Sequence, residues 1–516
     1  MFRKNEKHLQ KNLFGFQSIL PSGQQKLLYE SEEYKFYEII FCNIKEEDFK
    51  CLYSEKESRP NSAVNSMVSS LILKERKDWS YAELFNQIGF NLLTKTALGI
   101  EQIDEIPFVA STLFYFQNKL DSHLRETGEN LLEKVFDQLT TSQIKRLKLR
   151  TNIQRTDSFM ASSNIRNYSR LQLLIEVLLR LYRIFSDEDK LNFKELLSPY
   201  TTQKSEKYIY NLKGSELPKQ IEKIGDIYYR LSNQIEDTYS GIREYEIFLR
   251  VYKEHFSVEQ DKIRVKKPEE LSSSSLQSPD DTDATYRKKN NITSKGQSIN
   301  IVETINSDNA IELINDVSVA SNNTNDDKIL NDRIEKVKSK TPEIEELHFD
   351  GAYGSENNDK IFDELNITQV QTAIKGRKSE VAITIIKSYD GYEVSCPNQK
   401  GTTVLGQKRY KAKFELSICS RCNLADKCST IKNKKQRTHY FTEEDFLRNQ
   451  RINSINQIPK ERRKFRNNVE ATVSEFKRKF HNGKLKVRGY FRTTLFAFSM
   501  AISINFGRIC RYMANI

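Results

Sequence analysis

The sequence predicts an α/β protein in which a mixed β-sheet follows a helical N-terminal region. Apolar residues recur at helical spacing from residue 1 to about 145, and again from 169 to 256. Between residues 298 and 374, short strand-like segments alternate with helical ones, which is typical of a sheet covered by helices. With 516 residues, 37% of them hydrophobic, the chain can form several sizeable cores.

The N-terminal helices are indicated by two local patterns. Apolar residues at i, i+3, i+4, i+7 and i+8 from Val64 to Ile72 predict a core-facing helix that begins just after Pro60. Ser80 followed by Glu83 predicts a capping box that opens the next helix. Short helices joined by tight turns fit either a helix-turn-helix DNA reader or ordinary bundle packing.

The predicted sheet begins where the period changes to two. Leu147, Leu149 and Ile153 share the parity of Asp157, which predicts a strand ending at that aspartate. The Ser- and Asp-rich stretch 257–285 is expected to be flexible. The later expected elements are strands at 298–304, 313–320, 347–350 and 368–374, and helices at 328–338 and 357–366.

Positive charge is concentrated at the end of the chain. The formal net charge is +12, and residues 461–516 contain 13 Lys and Arg against 3 Asp and Glu. Such a patch fits a nucleic-acid partner, a solvated basic tail or a membrane surface. The apolar stretch Leu495 to Phe506 is too short to span a bilayer and is expected to form a buried helix. No export segment is visible. Seven cysteines, four of them clustered after residue 395, do not form the pattern of a disulfide framework in so long a chain and favour a reducing cytoplasm.

Three carboxylates stand out. Asp157 and Asp350 each follow a predicted strand, where carboxylates can converge at a sheet edge and hold divalent cations, although an Asp there is also a common turn former. A predicted helix from 459 to 480 would place Glu470 on one face with three cations. This arrangement fits a metal ligand beside DNA phosphates or a surface ion pair. The three cations are Arg463, Arg466 and Lys477.

Four late cysteines have a spacing that suits a metal. Between the successive cysteines lie 22, 2 and 5 residues. One tight Cys-x2-Cys pair makes a tetrahedral, structural Zn²⁺ site plausible, but the second such pair of a zinc ribbon is missing, so four buried or free thiols remain the alternative. These cysteines are Cys396, Cys419, Cys422 and Cys428.

Together, the segments 155–158, 349–357 and 466–470 resemble the catalytic triad regions of the DDE transposases of bacterial insertion sequences, in the group with an extended N-terminal helical domain and a late cysteine cluster. The last segment is similar to the Tyr-x2-Arg-x3-Glu-x6-Lys signature of that superfamily, with Arg463 in place of the Tyr. The resemblance runs from about residue 48 to the C-terminal helices.

This resemblance implies a ribonuclease-H-like catalytic core in which Asp157, Asp350 and Glu470 bind two Mg²⁺ ions, with Mn²⁺ as a substitute. It implies cleavage and strand transfer of double-stranded DNA at the inverted repeats of the chain's own element, by a homodimer that pairs two ends, in the bacterial cytoplasm at the nucleoid. A related metal-dependent nuclease and an inactive, transposase-derived DNA-binding protein remain alternatives. Backbone phosphates are expected to contact Arg463, Arg466, Lys477, Arg478 and Lys479.

The expected organisation has four parts. A helical N-terminal domain that binds DNA ends spans 1–145. The catalytic core spans 146–375 and contains a helical insertion at about 171–256. A Cys-rich insertion occupies 376–445, and basic C-terminal helices at 446–516 complete the core.

Overall fold

The computed structural model describes residues 1–9, 15–56, 59–260, 262–289, 291–371, 380–389, 391–466 and 468–515, with the side chains of Lys460 and Arg463 outside this description. The described residues before 147 form eight α-helices. They are α1 (Phe16–Ile19), α2 (Ser22–Glu30), α3 (Glu32–Ile39), α4 (Val64–Lys77), α5 (Tyr81–Phe90), α6 (Leu92–Ala97), α7 (Ala110–Thr127) and α8 (Leu131–Arg146).

Both local predictions for these helices are confirmed. The apolar stripe of α4 is buried, and the helix ends at Asp78, which adopts the left-handed conformation with φ of 61°. At the start of α5 the backbone N–H of Glu83 donates to the Ser80 hydroxyl, and the Ser80 N–H donates to the Glu83 carboxylate over 2.6 Å.

A mixed sheet forms the centre of the protein. Its strands are β1 (Ile153–Ser162), β4 (Thr285–Lys289), β5 (Ile292–Thr304), β6 (Ile314–Ser321), β7 (Glu346–Phe349) and β8 (Thr368–Gln371). β5 runs antiparallel to β1, while β7 is parallel to both β1 and β8. On its other edge, β5 pairs with β4 and then with β6. The order across the sheet is therefore β5, β1, β7, β8, and both β4 and β6 lie on the outer side of β5, each beside a different part of it.

The prediction that a strand ends at Asp157 is wrong. Leu147 caps α8, Lys148 adopts φ of 53°, and β1 begins at Ile153. Leu147 and Leu149 instead pack in a small core that includes Ile509. The strand continues to Ser162 because its second half pairs with β5, so Asp157 lies in mid-strand.

The segment between β1 and β4 is a helical block with its own hydrophobic core, as the helical periodicity predicts. It contains α9 (Arg170–Ile184), α10 (Asp187–Asn192), α11 (Lys194–Thr201), α12 (Ser205–Tyr210), α13 (Leu217–Gln234), α14 (Glu236–Tyr239) and α15 (Arg243–His255). A hairpin of β2 (Phe256–Glu259) and β3 (Lys262–Val265) follows.

The expectation of a flexible stretch at 257–285 is not met in the described residues. Besides the β2–β3 hairpin, the buried carboxylate of Asp281 accepts hydrogen bonds from the Ser163 hydroxyl and from the backbone N–H groups of Asp283 and Gly489. One buried acid therefore ties this Ser- and Asp-rich loop to the end of β1 and to the C-terminal region.

Helices connect the later strands of the sheet. The single helix expected at 328–338 is two helices, α16 (Asp326–Asn331) and α17 (Ile334–Lys340), while α18 (Glu356–Glu364) follows β7 as predicted. The strand expected at 368–374 is β8, and its last three expected residues lie outside the described residues.

A second, fully antiparallel sheet follows in the chain. Its strands are β9 (Thr384–Ser388), β10 (Gly391–Cys396), β11 (Gln399–Leu405), β12 (Tyr410–Glu415), β13 (Ile431–Lys432) and β14 (Gln436–Phe441). Their order across the sheet is β13, β14, β12, β11, β10, β9, and α19 (Leu416–Cys419) lies between β12 and β13 in the chain.

The chain ends in helices that return to the first sheet. They are α20 (Glu443–Gln457), α21 (Lys460–Arg463), α22 (Val469–Lys477) and α23 (Tyr490–Ala514). Of the described helices, α23 alone is long and apolar enough to cross a membrane, and 89% of its apolar window is buried within the protein. It packs on α4, α8 and β6, and the Asn505 amide exchanges two hydrogen bonds with the backbone of Ile314. The expectation of a buried helix is confirmed.

The continuous helix expected from 459 to 480 is wrong. The chain passes from α21 through a 3₁₀ turn at Lys464–Arg466, and α22 begins at Val469. The carbonyl oxygen of Phe465 accepts a hydrogen bond from the Arg155 guanidinium over 2.7 Å. Because that acceptor is engaged by β1, the segment turns toward the sheet, and Arg466 does not share one helical face with Glu470.

Candidate active site

Asp157 projects from the central strand β1 into a largely buried environment. Its side chain is 16% exposed, and its Oδ1 accepts a hydrogen bond from the Ser158 N–H over 2.9 Å. Burial raises the pKa of Asp157 to about 6, and the negative charges of Asp350 and Asp326 add to this rise, while the Arg466 cation opposes it. A buried carboxylate with other acids close to it is well suited to bind a cation.

Asp350 lies beside Asp157 because of strand register. In the parallel pairing of β1 with β7, Arg155 is opposite His348, and each aspartate lies two residues further along its strand direction. The Asp350 Oδ1 accepts from the Ala352 N–H over 2.8 Å, which fixes the turn after β7. The sheet therefore brings together two acids that are almost 200 residues apart in the chain.

One arginine lies between these two acids. The Arg466 Nη2 atom is 3.4 Å from the Asp157 Oδ2 and 3.8 Å from the Asp350 Oδ2. Its Nε atom is buried and has no hydrogen-bond partner among the residues that the structure describes. Arg466, expected to contact DNA phosphate, is therefore a counter-ion of the acidic pair in this structure.

Glu470 enters the site from the first turn of α22. It is exposed and lines the same cleft as Asp157, with a volume of about 480 Å³. The cleft is bordered by cations from two elements, Arg287 and Lys289 of β4 and Lys477 of α22. A cleft lined by both carboxylates and cations can bind a metal cation at its acids and a polyanion at its Arg and Lys side chains.

Sequence reasoning missed one acid that lines this cleft together with Asp157 and Glu470. Asp326, the first residue of α16, is 7% exposed and accepts a hydrogen bond from the Ser158 hydroxyl over 2.6 Å. Arg287 lies 3.9 Å away. Acidic residues are common in the first turn of any helix, so the local sequence carried no signal for this position.

A buried polar network connects the strand of Asp157 to the helix of Glu470. The Glu303 carboxylate of β5, which is fully buried, pairs with the Arg155 Nε at 2.7 Å and accepts from the Thr472 hydroxyl at 2.8 Å. Arg508 of α23 reaches the same carboxylate over 3.0 Å. This network fixes β1, α22 and α23 relative to one another.

The other expected DNA contacts lie in different surroundings. Lys477 lines the cleft, with its Nζ 5.8 Å from the centre of the Phe159 ring. Arg478 is exposed, whereas the half-buried Lys479 donates to the carbonyl oxygen of Arg76 over 3.0 Å, away from the cleft lining. The side chain of Arg463 lies outside the described residues.

The four late cysteines lie around one cavity of about 20 Å³ at the end of the second sheet, space for a single water-sized occupant. Amide groups of Asn398 and Gln399 donate to the sulfurs of Cys422 and Cys419 over 2.9 and 3.1 Å. Burial raises the pKa of the Cys419 thiol, and the neighbouring cysteines add to the rise. Four sulfurs around one cavity, two of which accept amide hydrogen bonds, have the donor chemistry that Zn²⁺ prefers.

Among the described residues, one trio brings three possible ligand atoms within 4.8 Å of one another, namely Glu133, Asp137 and Asp316. Cations already occupy its centre, because Lys340 pairs with Asp137 and Asp316 while Arg333 pairs with Asp316 and Glu133. This trio is thus an ion-pair network that joins α8, β6 and α17. The carboxylates of the cleft and the four sulfurs are spread more widely.

Carboxylates gathered in one cleft of the mixed sheet have the donor chemistry to hold a divalent cation, and the surrounding Arg and Lys side chains have the charge to face a polyanion. Residues 391–510 match the family model described as Transposase DDE domain, which confirms the resemblance to a DDE transposase and supports a DNA-cleaving enzyme. The matched segment includes Glu470 and the four cysteines, whereas Asp157 and Asp350 precede it. Comparisons with curated proteins and with solved structures found no match.

Proposed function

We propose that this protein is a transposase that binds the terminal inverted repeats of its own insertion sequence and catalyses Mg²⁺-dependent cleavage and strand transfer of DNA. The observation that carries the proposal is the shared contact of Asp157 and Asp350 with Arg466, which the parallel pairing of β1 with β7 allows because Asp157 lies within β1 and Asp350 directly follows β7. The strand order β6, β5, β1, β7, β8, with only β5 antiparallel to its neighbours, supports a ribonuclease-H-like core.

Asp157, Asp350 and Glu470 would hold two Mg²⁺ ions, or Mn²⁺ in their place. The fit is supported by the raised pKa of Asp157, since crowded buried carboxylates gain most from a cation, and by the position of Arg466 as a stand-in positive charge. When bound, such ions supply Lewis-acid stabilisation to the attacking and leaving oxygens of a phosphodiester.

The chain's own side chains bind and orient the DNA in this proposal. Lys477 and Arg287 on the cleft rim neutralise phosphates next to the scissile bond, and the exposed Arg478 extends that contact along α22. Arg466 exchanges its carboxylate partners for a phosphate when cations occupy the acids. The elements that carry Asp157 and Glu470 are joined in this proposal by the Glu303 carboxylate of β5, which contacts Arg155 of β1 and Thr472 of α22.

The remaining parts have proposed roles in the assembly. The N-terminal helices would read the inverted repeats, and a homodimer would hold two ends during strand transfer. The four cysteines around the small cavity would bind a structural Zn²⁺, because four protein ligands leave no open position for a substrate. The proposed location is the bacterial cytoplasm, at the nucleoid.

The test is to incubate the purified protein with a labelled duplex that carries one end of its flanking element, with Mg²⁺ or with EDTA, and to map cleavage to the nucleotide. We expect Mg²⁺-dependent nicking at the element boundary that is lost in D157N, D350N and E470Q. Asp363→Asn, a change on the exposed side of α18, is the matched control and should cleave normally.

The binding arm of the same experiment separates chemistry from recognition. The D157N variant should still bind the element end in EDTA, because the substitution removes a cation ligand and leaves the rim cations in place. Binding without cleavage by the folded wild-type protein would favour the inactive DNA-binding alternative. Cleavage without joining of a supplied target would favour the nuclease.

A further inference from the structure

The second sheet carries a concentration of positive charge that is separate from the C-terminal basic stretch. Residues 399–441 contain eleven Lys and Arg against two Asp and Glu. The net excess of nine charges lies within 43 residues, on strands β11 to β14 and the loops between them. An excess of this size on so short a segment is a footprint for a polyanion.

Strand alternation places part of this charge on one face. On β12, Ala412 and Phe414 are buried at 0% and 2% exposure, so Lys411 and Lys413 project from the opposite face. The register of β11 against β12 pairs Thr402 with Lys413, and Lys400, two residues before Thr402, lies on that same outward face. Lys400, Lys411 and Lys413, with Arg409 and Tyr440, form what we term the basic face.

An aromatic ring organises the cations at one end of the basic face. Tyr440 of β14 is paired with Lys411 in the sheet register. The Arg409 guanidinium lies 4.0 Å from the centre of the Tyr440 ring, and the Lys411 Nζ lies 5.9 Å from it. Stacking on the ring holds the Arg409 guanidinium close to the face while its N–H donors stay available to a ligand.

Few acids within the described part of the chain neutralise this charge. Ion pairs there engage Lys400 with Glu393 at 3.9 Å and Lys427 with Glu380 at 3.1 Å. All four of these side chains are more than 60% exposed, so water and salt screen both pairs strongly. The basic face therefore keeps most of its positive charge for a partner.

The basic face is fixed to the catalytic core from behind. The inward side of the sheet packs Tyr392, Phe414 and Phe441 together with Phe446 of α20. α20 in turn contacts α18 and β8, and its Arg451 lies 3.2 Å from the buried carboxylate of Asp359. The basic face is thereby connected through α20 to α18 and β8, the elements that follow Asp350 in the chain.

We infer that the basic face binds the sugar-phosphate backbone of double-stranded DNA outside the catalytic cleft, an inference that rests on the proposed function. Lysines on alternate positions of a strand lie about 6.6 Å apart, and as flexible point charges they suit phosphates and carry no base-reading geometry. The face therefore adds affinity that is independent of sequence and extends the contact beyond the inverted repeat.

The test measures duplex binding by fluorescence anisotropy of the full-length protein in EDTA across a range of NaCl concentrations. The variant K400Q/K411Q/K413Q is compared with the control K194Q/K219Q/K223Q, which removes three exposed lysines from the helical block. We expect the first variant to bind at least tenfold more weakly at 0.1 M salt, with a slope of log affinity against log salt shallower by about 2 to 3. The variant K400R/K411R/K413R keeps the three charges and should match the wild type in both the affinity and the salt slope.

Equal DNA affinity of the two glutamine variants would overturn the inference. It would also be overturned if K400Q/K411Q/K413Q lost affinity for an RNA duplex of the same sequence but kept its affinity for the DNA duplex. Melting curves by circular dichroism confirm that each variant is folded. Cleavage assays with Mg²⁺ separate the two proposals. If the wild type does not cleave but the first variant still loses DNA affinity, the basic face stands and the proposed function fails. If the wild type cleaves and both variants bind alike, the basic face alone fails.

Discussion

The guanidinium of Arg155 donates a 2.7 Å hydrogen bond to the carbonyl oxygen of Phe465, across 310 residues of chain. Arg155 is 1% exposed and also pairs with Glu303 and Glu312 at 2.7 Å. Arg466, the residue after Phe465, is the cation between Asp157 and Asp350. One buried arginine thus sets where the acidic pair receives its counter-ion.

Replacing Arg155 by Met should destabilise the protein strongly. The change leaves the carboxylate of Glu303 buried with one fewer cation, and breaking a buried pair in this way costs about 3 to 5 kcal/mol. The measurement is urea unfolding followed by circular dichroism. Arg150→Met is the matched control, because Arg150 and Asp308 are 65% and 57% exposed, and such a surface pair contributes about 0 to 1 kcal/mol. Similar losses in the two variants would contradict the buried network.

Removing Arg466 should increase the stabilisation gained from a divalent cation. In R466A the carboxylates of Asp157 and Asp350 lose the cation within 4 Å, so their repulsion lowers the melting temperature of the metal-free protein. Mg²⁺ then relieves a larger repulsion and should raise the melting temperature by more than in wild type. Differential scanning fluorimetry with and without Mg²⁺ checks this, with R478A as the control. An unchanged Mg²⁺ response would argue against cation binding at these acids.

Serine at Cys419 or Cys422 should abolish zinc binding. We expect about one Zn²⁺ per wild-type chain, from a tetrahedral site of four thiolates, and close to none in either variant by elemental analysis. Cys42→Ser and Cys510→Ser change cysteines that do not line the cavity and should keep the full zinc content. Limited proteolysis should show faster cleavage within the second sheet in the zinc-free variants. Zinc-free wild-type protein would establish the four residues as free thiols.

His255 should make the stability of the helical block sensitive to acid. Its Nδ1 accepts a hydrogen bond from the Arg170 Nε over 3.1 Å, and burial, helped by the charges of Arg170 and Lys266, lowers the pKa of His255 to about 4. His255 therefore takes up a proton near pH 6.5 in the unfolded chain but only near pH 4 in the folded chain. The free energy of unfolding is thus unaffected by this group above pH 6.5 and decreases as the pH falls from 6.5 toward 4.

The measurement is the difference in unfolding free energy between wild type and H255Q as a function of pH. This difference should shift by about 2 kcal/mol between pH 7 and pH 5 in favour of the variant, since one pKa unit corresponds to about 1.4 kcal/mol. Carboxylates that titrate in both proteins cancel in the comparison. A difference that does not vary with pH would contradict a neutral, buried His255.

Alanine at Gly296 should weaken the pairing of β1 with β5. A Cβ at this position would collide with the carbonyl oxygen of Ala161 and lie 2.7 Å from the backbone nitrogen of Ser163. Because both are backbone atoms, a strand must move, and the expected cost is about 1 to 3 kcal/mol. Gly128→Ala has nothing within 4 Å of the new Cβ but has a φ of 74°, so its smaller cost measures backbone conformation alone.

The sequence by itself determined the features that depend on neighbours within one or two turns. The capping box of Ser80 and Glu83, the buried stripe of α4 and the apolar helix α23 all follow from local hydrogen bonding and periodicity, and each is present where expected. The turn after β7 likewise marked Asp350, and the cysteine spacing marked the four residues that share one cavity.

Only the tertiary structure decided how the site is assembled. The 3₁₀ turn at Lys464–Arg466 is bonded to Arg155, 310 positions from Phe465, and Asp326 in the cleft accepts a hydrogen bond from Ser158, 168 positions away. Asp157 lies in mid-strand because β5 pairs with both halves of β1, which no local pattern reveals. A sequence pattern reports the preferences of short segments, whereas a buried charge selects its partner from whatever the whole fold brings within reach.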